Sequence, residues 1–138
     1  VNVALEGDNM QAGESSPTFR LHGLARELAA FWPSYLIHHR RPLTRKLHQL
    51  GSWSCIGGLI AAVVSAWWWL PIGIVVGYAF AFAGHWAVER NRPLTFDRPI
   101  FAGLCNWRMF WLELTGEIEH AMQQATLQGS SDPFDGCT

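Results

Sequence analysis

Residues 47–88 read LHQLGSWSCIGGLIAAVVSAWWWLPIGIVVGYAFAFAGHWAV, without a single Asp, Glu, Lys or Arg. Two stretches within this block, SWSCIGGLIAAVVSAWWWL (52–70) and PIGIVVGYAFAFAGHWAV (71–88), each approach the ~20 apolar residues that an α-helix needs to cross a hydrocarbon core. Pro71 suits the first turn of a new helix, and Trp67, Trp68 and Trp69 suit an aromatic belt at the turn before it. The block therefore predicts a hairpin of two spanning helices. A hairpin buried in a soluble helical protein is the alternative, but 138 residues leave too little chain to cover two such segments.

The charges lie outside the block. Arg40, Arg41, Arg45 and Lys46 precede it, and Arg90, Arg92 and Arg98 follow it. The positive-inside rule then places both ends of the hairpin in the cytoplasm, at the inner membrane of a bacterium or the endoplasmic reticulum of a eukaryote. Ten basic and eleven acidic residues give a net charge of -1. With no aromatic-studded basic face, nucleic acid is not an expected partner. Cys55, Cys105 and Cys137 are odd in number and widely spaced, so neither a disulfide framework nor a zinc knuckle is indicated. The N-terminal stretch VNVALEGDNMQAGESSP lacks the basic and apolar parts of a signal peptide, so insertion is expected from the internal segments.

Working outward, Leu21 to His39 carries apolar residues at helical spacing, with Pro33 as a kink point. A fourth helix is predicted over 106–124, with Trp107, Phe110, Trp111, Leu114, Ile118, Ala121 and Met122 on one stripe. It is too polar to span, and belongs at the membrane interface or against the hairpin. Residues 1–19 and 126–138 read as tails flanking a single helical domain over 20–125. The predicted class is all-α: an integral membrane hairpin with flanking amphipathic helices.

The stretch YLIHHRRPLTRKLH (35–48) raises the question of chemistry. His39 and His48 would lie on opposite sides of one straight helix. Pro42 forces Arg41 into extended geometry and can start a new helix, so the chain can turn between the two histidines. On the far side of the hairpin, His85 and Glu89 are spaced i, i+4 and share a face. If the first spanning helix ends near Ser65 and the second starts at Pro71, His48 and His85 differ in height by roughly one turn; if the helix continues to Leu70, the difference grows to roughly 12 Å. Convergence thus depends on where the turn falls.

Three imidazoles and a carboxylate at one end of a hairpin can hold Fe(II) with positions left open for oxygen and substrate, and zinc suits the same donors. His39, His48 and His85 are the candidate ligands, and Glu89 a fourth ligand or an orienting carboxylate. Blander roles exist for each. Histidine beside arginine can bind lipid phosphate, and Glu89 can pair with Arg90, Arg92 or Arg45. His85 is harder to explain so, because an ionisable group in a spanning segment is costly. His22 and His120 lie in polar stretches and are expected to be solvated. The rival to an enzyme is a non-catalytic membrane subunit whose tryptophans dock on partner helices or lipids.

YLIHHRRPLTRKLH, GHWAVERNRPLTFDRP and NWRMFWLELTG together resemble a family of small membrane proteins that includes the 2-hydroxy fatty acid dioxygenase of fatty-acid α-oxidation. The resemblance covers about residues 28–116. It matches His39, His48, His85 and Glu89, with Pro42, Gly84, Asn91 and Pro93 as framework, while His38 falls outside the family's metal spacing. It implies an Fe(II)-dependent, oxygen-consuming cleavage that shortens a 2-hydroxy acyl chain by one carbon. The implied partners are a fatty acyl substrate and the lipid bilayer, and on this resemblance Arg40, Arg41 and Arg45 are candidates to receive the fatty carboxylate.

Overall fold

The computed structural model describes the backbone of residues 17–129 and the side chains of residues 22–128. The expected tails, 1–19 and 126–138, lie largely outside that range. Every regular element among the described residues is helical, in agreement with the predicted class: α1 (Pro17–Ile37), α2 (Pro42–Val64), α3 (Trp69–Ala83), a π-helical segment (Gly84–Glu89), one 3₁₀ turn (Leu94–Phe96), α4 (Pro99–Thr115) and α5 (Ile118–Gly129).

The break between α1 and α2 follows from Pro42. It stands in the first turn of α2, and Arg41 before it is extended at φ -80°, ψ 130°. At the other end, α2 stops at Val64 and α3 begins at Trp69. His48 and His85 are therefore equally far from the turn, sixteen positions in each case (48 to 64 and 69 to 85), or about 24 Å of helix. The shorter of the two possible first helices is the one that forms, and the histidines end level.

Glycines let α2 and α3 approach closely. A Cβ on Gly58 would stand 2.7 Å from the Trp69 carbonyl oxygen, and one on Gly51 2.7 Å from that of Gly77. Gly73 and Gly77 form the small-xxx-small spacing that such contacts favour in membranes. The outer faces are apolar and bare. Only 17% and 22% of the most apolar stretches of Pro42–Val64 and Trp69–Glu89 are buried, whereas the core helix of a soluble protein is mostly covered. Both segments are long and apolar enough to cross a bilayer.

A second layer packs at the histidine end. Trp32, Tyr35 and Leu36 of α1, Ala102, Cys105 and Met109 of α4, and Ile118 and Ala125 of α5 form its core. Two sequence expectations change here. The single helix predicted over 106–124 is two, because Gly116 adopts φ 78° and its N–H closes on the Leu112 carbonyl, ending α4. The predicted stripe is also split: Phe110 is buried with Phe101, Ala102, Cys105 and Met109, whereas Trp107, Trp111 and Leu114 are exposed. Because α4 starts at Pro99, its inward residues Phe101, Ala102 and Cys105 precede a window opened at Asn106.

Candidate metal centre

Three different local structures deliver the three histidines. His39 lies in the short link after α1, where its Nδ1–H donates to the Tyr35 carbonyl at 2.7 Å and so caps the end of the helix. His48 lies in the second turn of α2. His85 is the second residue of the π-helical segment, whose extra residue per turn re-aims the side chain. That segment ends at Arg90 in the left-handed conformation, φ 59°, and both Arg90 and Asn91 give their N–H groups to the His85 carbonyl.

The rings meet at one point. Centroid separations are 4.5 Å for His39–His48, 4.7 Å for His39–His85 and 5.2 Å for His48–His85. All three residues are buried, and one nitrogen from each lies within 4.8 Å of the others. Every Nδ1 is committed to an oxygen: that of His39 to Tyr35, that of His48 to Asn106 Oδ1 at 2.9 Å, and that of His85 to Asn91 Oδ1 at 2.7 Å. The two amides cannot turn over. Asn91 Nδ2 donates to the His38 carbonyl at 3.0 Å, and Asn106 Nδ2 donates to Ser52 Oγ, whose own hydrogen goes to the His48 carbonyl.

The tautomers follow from these bonds. With Nδ1 protonated in all three rings, each Nε2 carries a lone pair. The Nε2 atoms of His39 and His48 stand 3.2 Å apart, two bare acceptors facing each other. Either a proton or a metal cation relieves that contact. Burial argues against the proton: it is the main cause holding His39 well below the usual histidine pKa, and neighbouring His48 adds to it. Three neutral imidazoles, each held by an oxygen on its Nδ1, are a donor set that fits a divalent metal, with iron and zinc both within its chemistry.

The remaining predicted site residues are placed differently. Glu89 stands apart from the cluster, and its Oε1 accepts the Arg41 backbone N–H at 2.7 Å, tying the end of the π-helical segment to the α1–α2 link. The orienting oxygen expected of it comes to His85 from Asn91 instead. Arg45 is not free to receive a carboxylate. It is 4% exposed, with Nε 2.7 Å from Glu113, Nη2 2.6 Å from Glu119 and Nη1 donating to the Arg40 carbonyl. Arg40 and Arg41 are exposed at the same end. His38 holds the Ser34 carbonyl with its ring and Asn91 with its own carbonyl, while His22 and His120 are exposed as expected. Sequence reading passed over Asn106 and Ser52. A polar pair on facing apolar stripes was the available signal.

A cavity of about 320 Å³ opens from the histidines between α2, α3 and the start of α4. Its wall includes His48, His85 and Tyr35 at the polar end, and Cys55, Ile74, Gly77 and Ala81 along the hairpin. Its size is at the lower end of small-molecule sites.

Over residues 25–118, more than half of the chain, the sequence matches the family described as 2-hydroxy-palmitic acid dioxygenase Mpo1-like. No curated protein and no solved structure matches it.

Proposed function

The chain belongs to the 2-hydroxy-palmitic acid dioxygenase Mpo1-like family, and from that premise we propose that it is an Fe(II)-dependent membrane dioxygenase that shortens 2-hydroxy fatty acids by one carbon. The observation that carries this reading is the convergence of three buried imidazoles whose Nε2 lone pairs are fixed by oxygens on every Nδ1. His39, His48 and His85 are the ligands. The donor set admits zinc, and the oxygen-consuming chemistry in the family's name favours iron. Iron bound there supplies the redox chemistry that lets dioxygen react with the acid.

The chain's own residues supply position and exclusion. The cavity walls of Ile74, Gly77 and Ala81 take up the acyl tail beside the ligands, away from bulk water. Arg40 and Arg41, exposed beside His39, draw the fatty carboxylate to that end. Glu89 acts indirectly, by fixing the link that carries His39. Both hairpin ends face the cytoplasm, with the arginines and the metal at that face and Trp67–Trp69 at the opposite interface.

The test is metal content together with turnover. Purified protein is expected to hold one iron per chain and to convert a 2-hydroxy acid and one dioxygen to the acid one carbon shorter, carbon dioxide and water. His48→Ala and His85→Ala should lose both iron and product. Wild-type turnover in both variants, or a metal-free wild type, would end the reading.

A further inference from the structure

Tyr35 sits one turn before His39 on α1 and is 2% exposed. Its ring stacks on His39 at 4.2 Å and 27° and runs nearly parallel to Trp32 at 6.1 Å and 12°. These contacts hold the ring in place. Tyr35 also belongs to the wall of the cavity, together with His48 and His85. The other buried polar side chains of that wall are spent: Ser52 and Asn106 bond each other, and Asn106 holds His48. The Tyr35 hydroxyl has no hydrogen-bond partner among the described residues.

Thr44 Oγ1 is the only sealed side-chain polar atom without a partner among the described residues, so the Tyr35 oxygen keeps accessible surface at the cavity wall, where a ligand or water completes its hydrogen bonding. A phenol is protonated at neutral pH, so it is a donor. A donor at the polar end of an apolar cavity, beside the ligand set, calls for an anionic oxygen arriving at the head of an apolar chain. Arg45, the cation expected there, is already paired with Glu113 and Glu119.

We propose that Tyr35 is a substrate-binding residue whose hydroxyl donates a hydrogen bond to the carboxylate of the 2-hydroxy acid lodged in the cavity. This rests on the function proposed above. It gives the site an uncharged device for reading the acid, which a buried arginine provides only with a counter-charge. His39 does not depend on the hydroxyl, since it is oriented by the Tyr35 carbonyl and stacked on the ring.

Tyr35→Phe keeps both of those contacts and removes one oxygen. The measurement is quenching of tryptophan fluorescence by 2-hydroxypalmitate and by its methyl ester, on iron-loaded protein kept free of oxygen, since Trp107 lines the cavity. The variant is expected to match wild type in iron content and melting temperature. It should bind the acid about ten- to a hundredfold more weakly, as for loss of a hydrogen bond to a charged group, and show a smaller loss for the ester, a neutral acceptor. Equal affinity for the acid in both proteins would overturn the role of Tyr35 and leave the proposed function standing. An equal loss for acid and ester would also overturn it, by pointing to a change in cavity shape. A wild type that holds iron but binds no acid would overturn the function and this role together.

Discussion

Asn106 Oδ1 accepts the Nδ1–H of His48 at 2.9 Å, across 58 positions of sequence, and this bond decides which nitrogen of His48 is free for a metal. The amide is itself locked by Ser52, so the preference is built into the packing of α4 on α2. A hydrogen-bond partner on the other ring nitrogen of a metal-ligating histidine is worth about 10- to 100-fold in metal affinity. Asn106→Ala is expected to weaken metal binding by that factor, measured by competition with a chromophoric chelator, and Asn91→Ala to do the same through His85. Asn106→Asp keeps the acceptor and should keep the affinity. Undiminished binding in both alanine variants would show that the tautomers are set some other way.

The centre should also be sensitive to acid. Burial first, and His48 second, hold His39 well below the usual histidine pKa, whereas unfolding returns it to about 6.5. Between those two values the unfolded chain binds more protons than the folded one, so stability rises with pH across that window. The full contribution is present above about pH 6.5 and is lost progressively as pH falls towards the folded pKa. Thermal unfolding in detergent should give a flat melting temperature from about pH 8 to 7 and a falling one below about 6.5. Bound metal should steepen the fall, because the imidazoles must be neutral to ligate. A melting temperature unchanged at pH 5 would contradict this account of His39.

Much of this centre could be read from the chain because its causes are local. Pro42 sits between His39 and His48 and dictates the reversal there, and the tryptophans with Pro71 mark the turn that brings His85 back. What escaped depended on contacts between distant segments. The partners of Arg45 lie 68 and 74 positions away, so its cationic end reads as a free surface charge until α4 and α5 are in place. Asn106 likewise acquires meaning only opposite α2. Gly116 is a different case. Its signal was local, a glycine ending an apolar helical run, but the apolar stripe continuing through Ile118 and Met122 outweighed it. The π-helical segment has no comparable marker, since Gly84–Glu89 reads as ordinary helix by composition.

The hairpin glycines offer a paired comparison. A Cβ on Gly58 would meet the Trp69 carbonyl oxygen at 2.7 Å and the Gly73 Cα at 2.8 Å, both backbone atoms that cannot swing aside. On the neighbouring Gly57 it would meet nothing within 4 Å. Gly58→Ala is expected to cost about 1–3 kcal/mol, as overpacking does, and to lower metal occupancy by parting α2 from α3. Gly57→Ala should be neutral or slightly stabilising, since alanine favours helix over glycine. Thermal unfolding with metal analysis compares them. Equal behaviour of the two variants would mean that the close approach of the helices does not hold the centre together.

Arg45 provides the sharpest separation between a structural and a substrate-binding role. Its side chain is 4% exposed and that of Glu113 17%, whereas Glu119 is 71% exposed, so the Glu113 pair carries most of the cost of removal. Arg45→Met would leave Glu113 facing α2 without its counter-charge. Breaking a fully buried pair costs about 3–5 kcal/mol, and partial solvation of Glu113 should bring this nearer to about 2–3 kcal/mol. Adding Glu113→Leu removes the stranded charge as well and should restore most of the loss, because an apolar replacement of a buried pair is often close to neutral. A residue that gripped the substrate would behave otherwise: the double variant would remain unable to distinguish 2-hydroxypalmitate from its methyl ester, whatever its melting temperature. Recovered stability with an unchanged acid-to-ester affinity ratio is the expected result. A ratio that collapses in both variants would return Arg45 to the substrate site.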